Sequence, residues 1–426
     1  MLDINLIRTN PKLVKGNLER RKNPELLILF EELVLLDSDW KKKKAELDNL
    51  RSERNKLSLE INQFKKAGKS IEQTLKQSSL VAESIKRNEQ DVENLKLKVD
   101  SLLMKLPNLL HESVPYGKDD SENFELRKSG KIKKFDFELK SHAELAEALG
   151  IADFERSAKI SGNGFYFLKG ELALLNQALL RFAIDILSKK GYIYVEPPLM
   201  MRKKPYEGVT DLSDFEKVMY KIEGEDQYMI ATSEHPMASM YMDETLDESQ
   251  LPLKFVGNSL CFRKEVGSRG VDTKGLFRTH QFNKVEQFIF CKPEDSWKYH
   301  EELIKNSEEI FQALDIPFRV VNICTCDIGS VAAKKYDIEA WMPRQNKYAE
   351  VVSGSNCTDY QARRLNIKFG KEGGEKKLLH TLNCTGIATS RALVAILENY
   401  QNKDGTITVP KVLIPYMNGI KVIGKK

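Results

Sequence analysis

The sequence predicts an α+β chain: a long antiparallel α-helical coiled-coil arm at the N-terminal end, then a larger body built on a mostly antiparallel β-sheet flanked by helices. Three observations carry this. Apolar residues recur with heptad spacing between residues 26 and 106, Gly68 is the only glycine in that stretch, and beyond residue 115 the apolar runs become short and are separated by Gly, Pro and Asn.

The arm comes first. Counting alternately four and three residues from Leu29 selects Leu29, Leu33, Leu36, Trp40, Lys43, Leu47, Leu50, Arg54, Leu57, Ile61 and Phe64, apolar except for Lys43 and Arg54. That is the seam of a coiled coil. The same count restarted at Ile71 selects Ile71, Leu75, Ser78, Ala82, Ile85, Glu89, Val92, Lys96, Val99, Leu103 and Leu106, again mostly apolar. Two seams of equal length predict a helix folded back on itself, with its tip near Gly68 and its end at Pro107. At ~1.5 Å per residue the arm projects on the order of 50 Å.

Its charge is uneven. Residues 41 to 87, the outer part, hold 13 Lys or Arg against 6 Asp or Glu, whereas 26–40 with 88–106 hold 3 against 8. A basic outer part, with Lys65, Lys66 and Lys69 at the tip, suits a phosphate backbone because such contacts gain from counterion release without a pocket. The competing use is a solvated coil serving as a dimer handle. Over all 426 residues the formal charge is only +5, which neither demands nor excludes a nucleic-acid partner. No 18 apolar residues run together and the first twenty lack a signal-peptide core, so a cytoplasmic protein without a membrane partner is expected. Six cysteines without a CxxC pair are expected to be reduced thiols.

In the body, Tyr192–Val195, Phe255–Val256, Phe288–Phe290 and Phe318–Val321 read as strands, and 171–190, 294–314 and 389–402 as amphipathic helices. Common nucleotide motifs fail. Gly68-Lys69-Ser70 resembles the end of a P-loop, but Gln63 stands where its first glycine belongs, and Gly162-Asn163-Gly164 meets Phe167 where a dinucleotide fingerprint needs its third glycine. HExxH and zinc-finger spacings are absent.

What stands out is charge inside strand-like sequence. In Cys261-Phe262-Arg263-Lys264-Glu265, Arg263 and Glu265 at i and i+2 would share a strand face. A glycine-rich loop then leads to Phe277 through Gln287, making a hairpin that offers Arg263 to a phosphate, Phe282 as a stacking face and Glu286 to an amine or hydroxyl. Further on, Leu382 to Tyr400 reads as a small-residue turn entering an apolar helix with Arg391 in its first turn, where dipole and guanidinium both favour phosphate.

These segments resemble motifs 2 and 3 of the class II aminoacyl-tRNA synthetases, and FRKEVG, GLFRTHQFNKVEQF, Tyr348–Ser353, Ser355–Arg364 and LVAILENYQ resemble the seryl enzymes in particular. The likeness spans nearly the whole chain. It includes the opening MLDINLIRTNP and Ala231-Thr232-Ser233-Glu234, with Pro197 where motif 1, the dimer-forming element, places its proline. It implies an N-terminal tRNA-binding domain (1–115) and a class II catalytic domain (116–426), with motif 1 around 190–200, motif 2 around 255–290 and motif 3 around 380–401.

The implied reaction is ATP-dependent activation of L-serine to seryl-adenylate, then transfer to serine tRNA, with selenocysteine tRNA as a second candidate acceptor. Carried over by position, Arg263 would hold the α-phosphate and the serine carboxylate, Glu265 the adenine amino group and Phe282 the adenine face, with Val351 and Val352 beside the nucleotide. Arg391 would hold the γ-phosphate. Glu350 and Ser353 would coordinate Mg²⁺, and Thr232, Ser233, Glu234, Glu286 and Thr385 would form the serine pocket. Arg263, Glu286 and Arg391 are the implied catalytic residues. Also implied are a homodimer and an arm that grips the long variable arm of the tRNA; zinc and DNA are not expected.

Departures from the family pattern are Cys384, Thr385 and Ser390, where glycine, serine and glycine are usual, and Gly354 and His235, where other residues are usual. Two rivals remain distinguishable. A carrier-protein aminoacyl ligase would lack the basic arm, and a non-catalytic RNA-binding paralogue would lose charged residues of the site.

Overall fold

The computed structural model describes residues 1–210, 218–265 and 275–424. Its contacts divide the chain into two compact units, Met1–Pro107 and Asn108–Lys426.

In the first unit two short helices precede α1 (Pro24–Lys66) and α2 (Glu72–Lys105), which pack against each other. Helix α1 begins where Asn23 accepts the Glu25 N–H and Pro24 takes the first position, where no N–H is needed. It ends at Gly68, whose φ of +65° is the left-handed turn that glycine adopts without strain. Leu47, Leu57, Val81 and Ile85 form the buried seam. On α1 the predicted seam holds: every selected position except Arg54 is at least half-buried. On α2 half of it is corrected. Leu75, Ala82, Glu89 and Lys96 are exposed, and Thr74, Val81, Asn88 and Leu95 turn inward instead. The two readings share every seventh residue and differ by one position between, and the observed one buries Val81 and Leu95 in place of Ala82 and Lys96, hence more apolar surface.

The second unit is organised on an eight-stranded sheet: β1 (Phe124–Ser129), β2 (Ile193–Val195), β3 (Leu253–Phe262), β4 (Gln281–Cys291), β5 (Phe318–Asn322), β6 (Lys334–Met342), β7 (Lys347–Asn356) and β8 (His380–Ala388). The order across it is β1-β5-β6-β7-β8-β4-β3-β2, antiparallel except for the parallel β2–β3 pair at the edge. Helices α3 (Gly170–Lys189), α4 (Ser296–Ala313) and α5 (Thr389–Asn399) bury their apolar faces with one face of this sheet in the main core. Strand alternation does the rest. Val285, Ile289 and Cys291 of β4 enter that core, so Phe282, Lys284 and Glu286 stand on the opposite face; on β8, Cys384 goes to the core while Asn383 and Thr385 go to the other side.

Two local expectations are corrected. Strand β3 ends at Phe262, so Arg263 and Glu265 do not share a strand face; Glu265 turns away at φ +48°. Residues 382–388, expected as a turn, continue β8 directly into α5, because β8 finds partners on both sides in β7 and β4. The glycine-rich loop at 266–274 lies outside the described residues.

Candidate active site

On the open face of the sheet lies a cavity of about 590 Å³, bounded by β4, β6, β7, β8, the residues after β3, and the turn at Thr232 to His235. That volume is ordinary for a small-molecule site.

At one side stand two carboxylates. Glu234 leads a short helix, and its N–H donates to Thr232 Oγ1 at 3.1 Å. Its Oε1 accepts from Gln361 Nε2 at 3.1 Å and from Asn383 Nδ2 at 3.0 Å. Burial, helped by the negative charge of Glu286, pushes Glu234 up to about 7. Glu286 is only 1% exposed and lies opposite Thr385 in the β4–β8 register. Its Oε2 is 2.7 Å from Lys284 Nζ, and the Thr385 hydroxyl also bonds the carboxylate. Burial raises Glu286 above the usual carboxylate range, and the Lys284 charge opposes that rise.

The other side is arranged around arginines. Just past β3, the Arg263 N–H donates to His280 O at 2.9 Å, and the side-chain Nε reaches Ala231 O at 3.4 Å. Its guanidinium lies 5.2 Å from the Phe282 ring centre, a cation–π contact. Glu265 faces Arg278 at 3.5 Å. Arg391, in the first turn of α5, donates from Nη1 to Glu350 O at 2.8 Å and to Glu350 Oε2 at 3.2 Å. Burial would raise Glu350, but the charges of Lys335, Arg391 and Arg263 outweigh it and hold the group below its usual range. Ser353 pairs with Asp337 across β6 and β7, and Lys335 Nζ is 3.2 Å from Asp337 Oδ2.

The cavity therefore brings together Thr232, Glu234, Arg263, Glu265, Phe282, Glu286, Glu350, Val351, Ser353, Thr385 and Arg391. Ser233 and Val352 are not brought in. The Ser233 hydroxyl donates to Gly257 O at 3.2 Å, and Val352 packs in the main core. Lys65, Lys66 and Lys69 are exposed at the tip of the first unit. Sequence reasoning passed over Lys284, Lys335, His235, Gln361 and Asn383. A usable signal existed for the lysines: Lys284-x-Glu286 and Lys335-x-Asp337 each place a cation and a carboxylate on one strand face. His235 gave no such signal; burial lowers its imidazole to about 3, so it stays neutral.

Among the described residues no three His, Cys, Asp or Glu side chains gather as a metal site. A cation here would have Glu350 and Ser353 and would need its other ligands from a bound phosphate and water. That donor set fits Mg²⁺ arriving with a nucleotide.

Residues 217–400 match the tRNA synthetase class II core domain (G, H, P, S and T), and residues 1–110 match the seryl-tRNA synthetase N-terminal domain. The serine–tRNA ligase of Methanoregula boonei is 57% identical over 98% of this chain and 99% of its own length. Seryl-tRNA synthetase from Pyrococcus horikoshii, solved with ATP, superposes with a TM-score of 0.96 at 50% identity, covering 99% of each chain. The cytoplasmic serine–tRNA ligase of Naegleria fowleri, solved with AMP, gives a TM-score of 0.90 at 37% identity over 99% of this chain and 98% of that one.

Proposed function

The chain belongs to the seryl-tRNA synthetases, serine–tRNA ligases of class II, and from that premise we propose how its residues share the work. The observation that carries the assignment is the position of Arg263: its charge acts on Glu234 and Glu286 on one side and on Glu350 on the other. A cation between an amine-binding and a phosphate-binding group is where the serine carboxylate must meet the α-phosphate of ATP.

Arg263 holds both reacting groups. Phe282 stacks on the adenine, Glu265 accepts from its amino group, Val351 lines the nucleotide, and Arg391 takes the γ-phosphate. Glu350 and Ser353 would hold Mg²⁺, which would neutralise charge on the triphosphate. Glu286, Glu234, Thr232 and Thr385 receive the serine ammonium and hydroxyl. A serine carboxylate oxygen then attacks the α-phosphorus in line and the bond to pyrophosphate breaks. In the second step the terminal hydroxyl of serine tRNA attacks the seryl carbonyl and AMP leaves. Positioning and charge neutralisation supply the catalysis.

The basic tip with Lys65, Lys66 and Lys69 grips the long variable arm of the tRNA. Two copies form a homodimer. Supporting this, β2 is the last strand of its sheet, and Ile193, Tyr194, Leu199 and Met200 on and after it are 56%, 40%, 37% and 44% exposed. No described helix is long and apolar enough to cross a membrane, and we place the enzyme in the cytoplasm.

Arg263→Ala and Arg391→Ala each remove charge stabilisation worth several kcal/mol at the reacting phosphates, so each should lower serine-dependent ATP–pyrophosphate exchange by orders of magnitude in a folded protein. Exchange near the wild-type rate would remove that arginine from the site.

A further inference from the structure

The amine-binding side of the cavity contains a buried cation with no task in the assignment above. Lys284 is 6% exposed, lines the cavity, and brings Nζ within 2.7 Å of Glu286 Oε2. We propose that Lys284 is a positioning residue for the amino acid: its ammonium keeps Glu286 ionised in the empty pocket, ready for the ammonium of serine. The inference rests on the reading of Glu286 as a serine ligand.

Three features favour this over a purely structural ion pair. First, Lys284 and Glu286 are two residues apart on one strand, so their pairing ties no two elements together. Second, Lys284 occupies one side of Oε2 at 2.7 Å, and a carboxylate oxygen keeps a further lone pair to accept from an incoming N–H or O–H. Third, Glu234 is held by two neutral amide donors, Gln361 and Asn383, whereas Glu286 has the Thr385 hydroxyl together with the charge of Lys284 in direct contact.

Two carboxylates buried in one pocket oppose each other's ionisation, and burial opposes it further. The titratable groups around Glu286 are Lys284 on its own strand, Arg263 and Cys261 from β3 and its end, Cys384 from β8, and Glu234 with His235 from the short helix. Of these only Lys284 and Arg263 bring positive charge, and Arg263 is shared with Glu350. Removing Lys284 therefore pushes Glu286 further up, toward its neutral form, and a neutral carboxyl binds an ammonium poorly.

Serine KM, ATP KM and kcat are to be measured by ATP–pyrophosphate exchange in the full-length wild type, Lys284→Met, Lys284→Arg and Glu286→Gln, from mildly acidic to mildly alkaline pH. Lys284→Met should raise serine KM at neutral pH by about tenfold for each unit by which the Glu286 pKa comes to exceed the assay pH. That rise should shrink as pH increases, ATP KM should not move, and Lys284→Arg should restore both value and profile. A serine KM unchanged, or raised by one factor at every pH, would overturn the role of Lys284 while Glu286→Gln still weakens serine. If Glu286→Gln leaves serine KM untouched, the pocket assignment itself is wrong and the inference falls with it. Should Lys284→Met not fold, Lys284→Gln is held to the same outcomes.

Discussion

Gly354 and Cys384, both departures from the family pattern, face each other across β7 and β8. A Cβ at position 354 would lie 2.8 Å from the Cys384 Sγ and 3.2 Å from its Cβ, so the thiol fits because its partner has no side chain. Cys384 points toward Ser307 of α4, at 3.4 Å, and away from the cavity. Cys384→Gly should therefore keep its activity while losing about 1 to 2 kcal/mol of stability, and Gly354→Cys should lose about 1 to 3 kcal/mol from overpacking. Moving the thiol across in the double variant should recover at least about 1 kcal/mol of the summed loss. Urea unfolding of the four proteins measures this, and simple additivity would contradict the pairing. The place of Arg263 and Arg391 at one cavity was legible because each is an arginine set in otherwise strand-like or small-residue sequence. Sequence could not tell that Ser233 spends its hydroxyl on Gly257 O or that Val352 faces the core, since each follows from a bulge or turn one residue away.

Helix α1 was legible because its seam is strongly apolar; the return helix slipped by one position at alternate turns because Thr74, Ser78 and Asn88 give its seam little contrast. The tip at Gly68 survived that slip. Every residue lining the cavity lies beyond Asn108, so replacing residues 41–87 with a short turn should leave seryl-adenylate formation intact and collapse transfer to tRNA. In the intact arm, Lys65, Lys66 and Lys69 changed together to Ala should weaken tRNA binding and flatten its salt dependence. Exchange and charged tRNA, read on one preparation, separate the two steps. A truncated enzyme that charges tRNA at the wild-type rate would reduce the arm to a handle.

Across the whole molecule the site is assembled from segments more than 150 residues apart in sequence, Thr232 to Arg391, and the sheet order β6-β7-β8-β4-β3 is what makes them neighbours. That order is not sequential, so spacing alone could suggest Arg263 with Glu286 on one hairpin but not Glu234 beside Asn383 or Arg391 on Glu350. The family resemblance named Glu234, Glu350 and Arg391 as site residues one by one, and their pairing with Asn383 and with each other appears only in the structure. We attribute serine selection to the buried carboxylates Glu234 and Glu286 with the Thr385 hydroxyl, which suit an amino acid that carries both an ammonium and a side-chain hydroxyl. ATP–pyrophosphate exchange by the purified full-length chain, with serine or alanine as the only amino acid, tests it most directly. With serine, labelled pyrophosphate should enter ATP; with alanine, which leaves buried polar groups unpaired, exchange should be slower by orders of magnitude. Equal exchange with alanine, or exchange that needs no amino acid, would contradict the account.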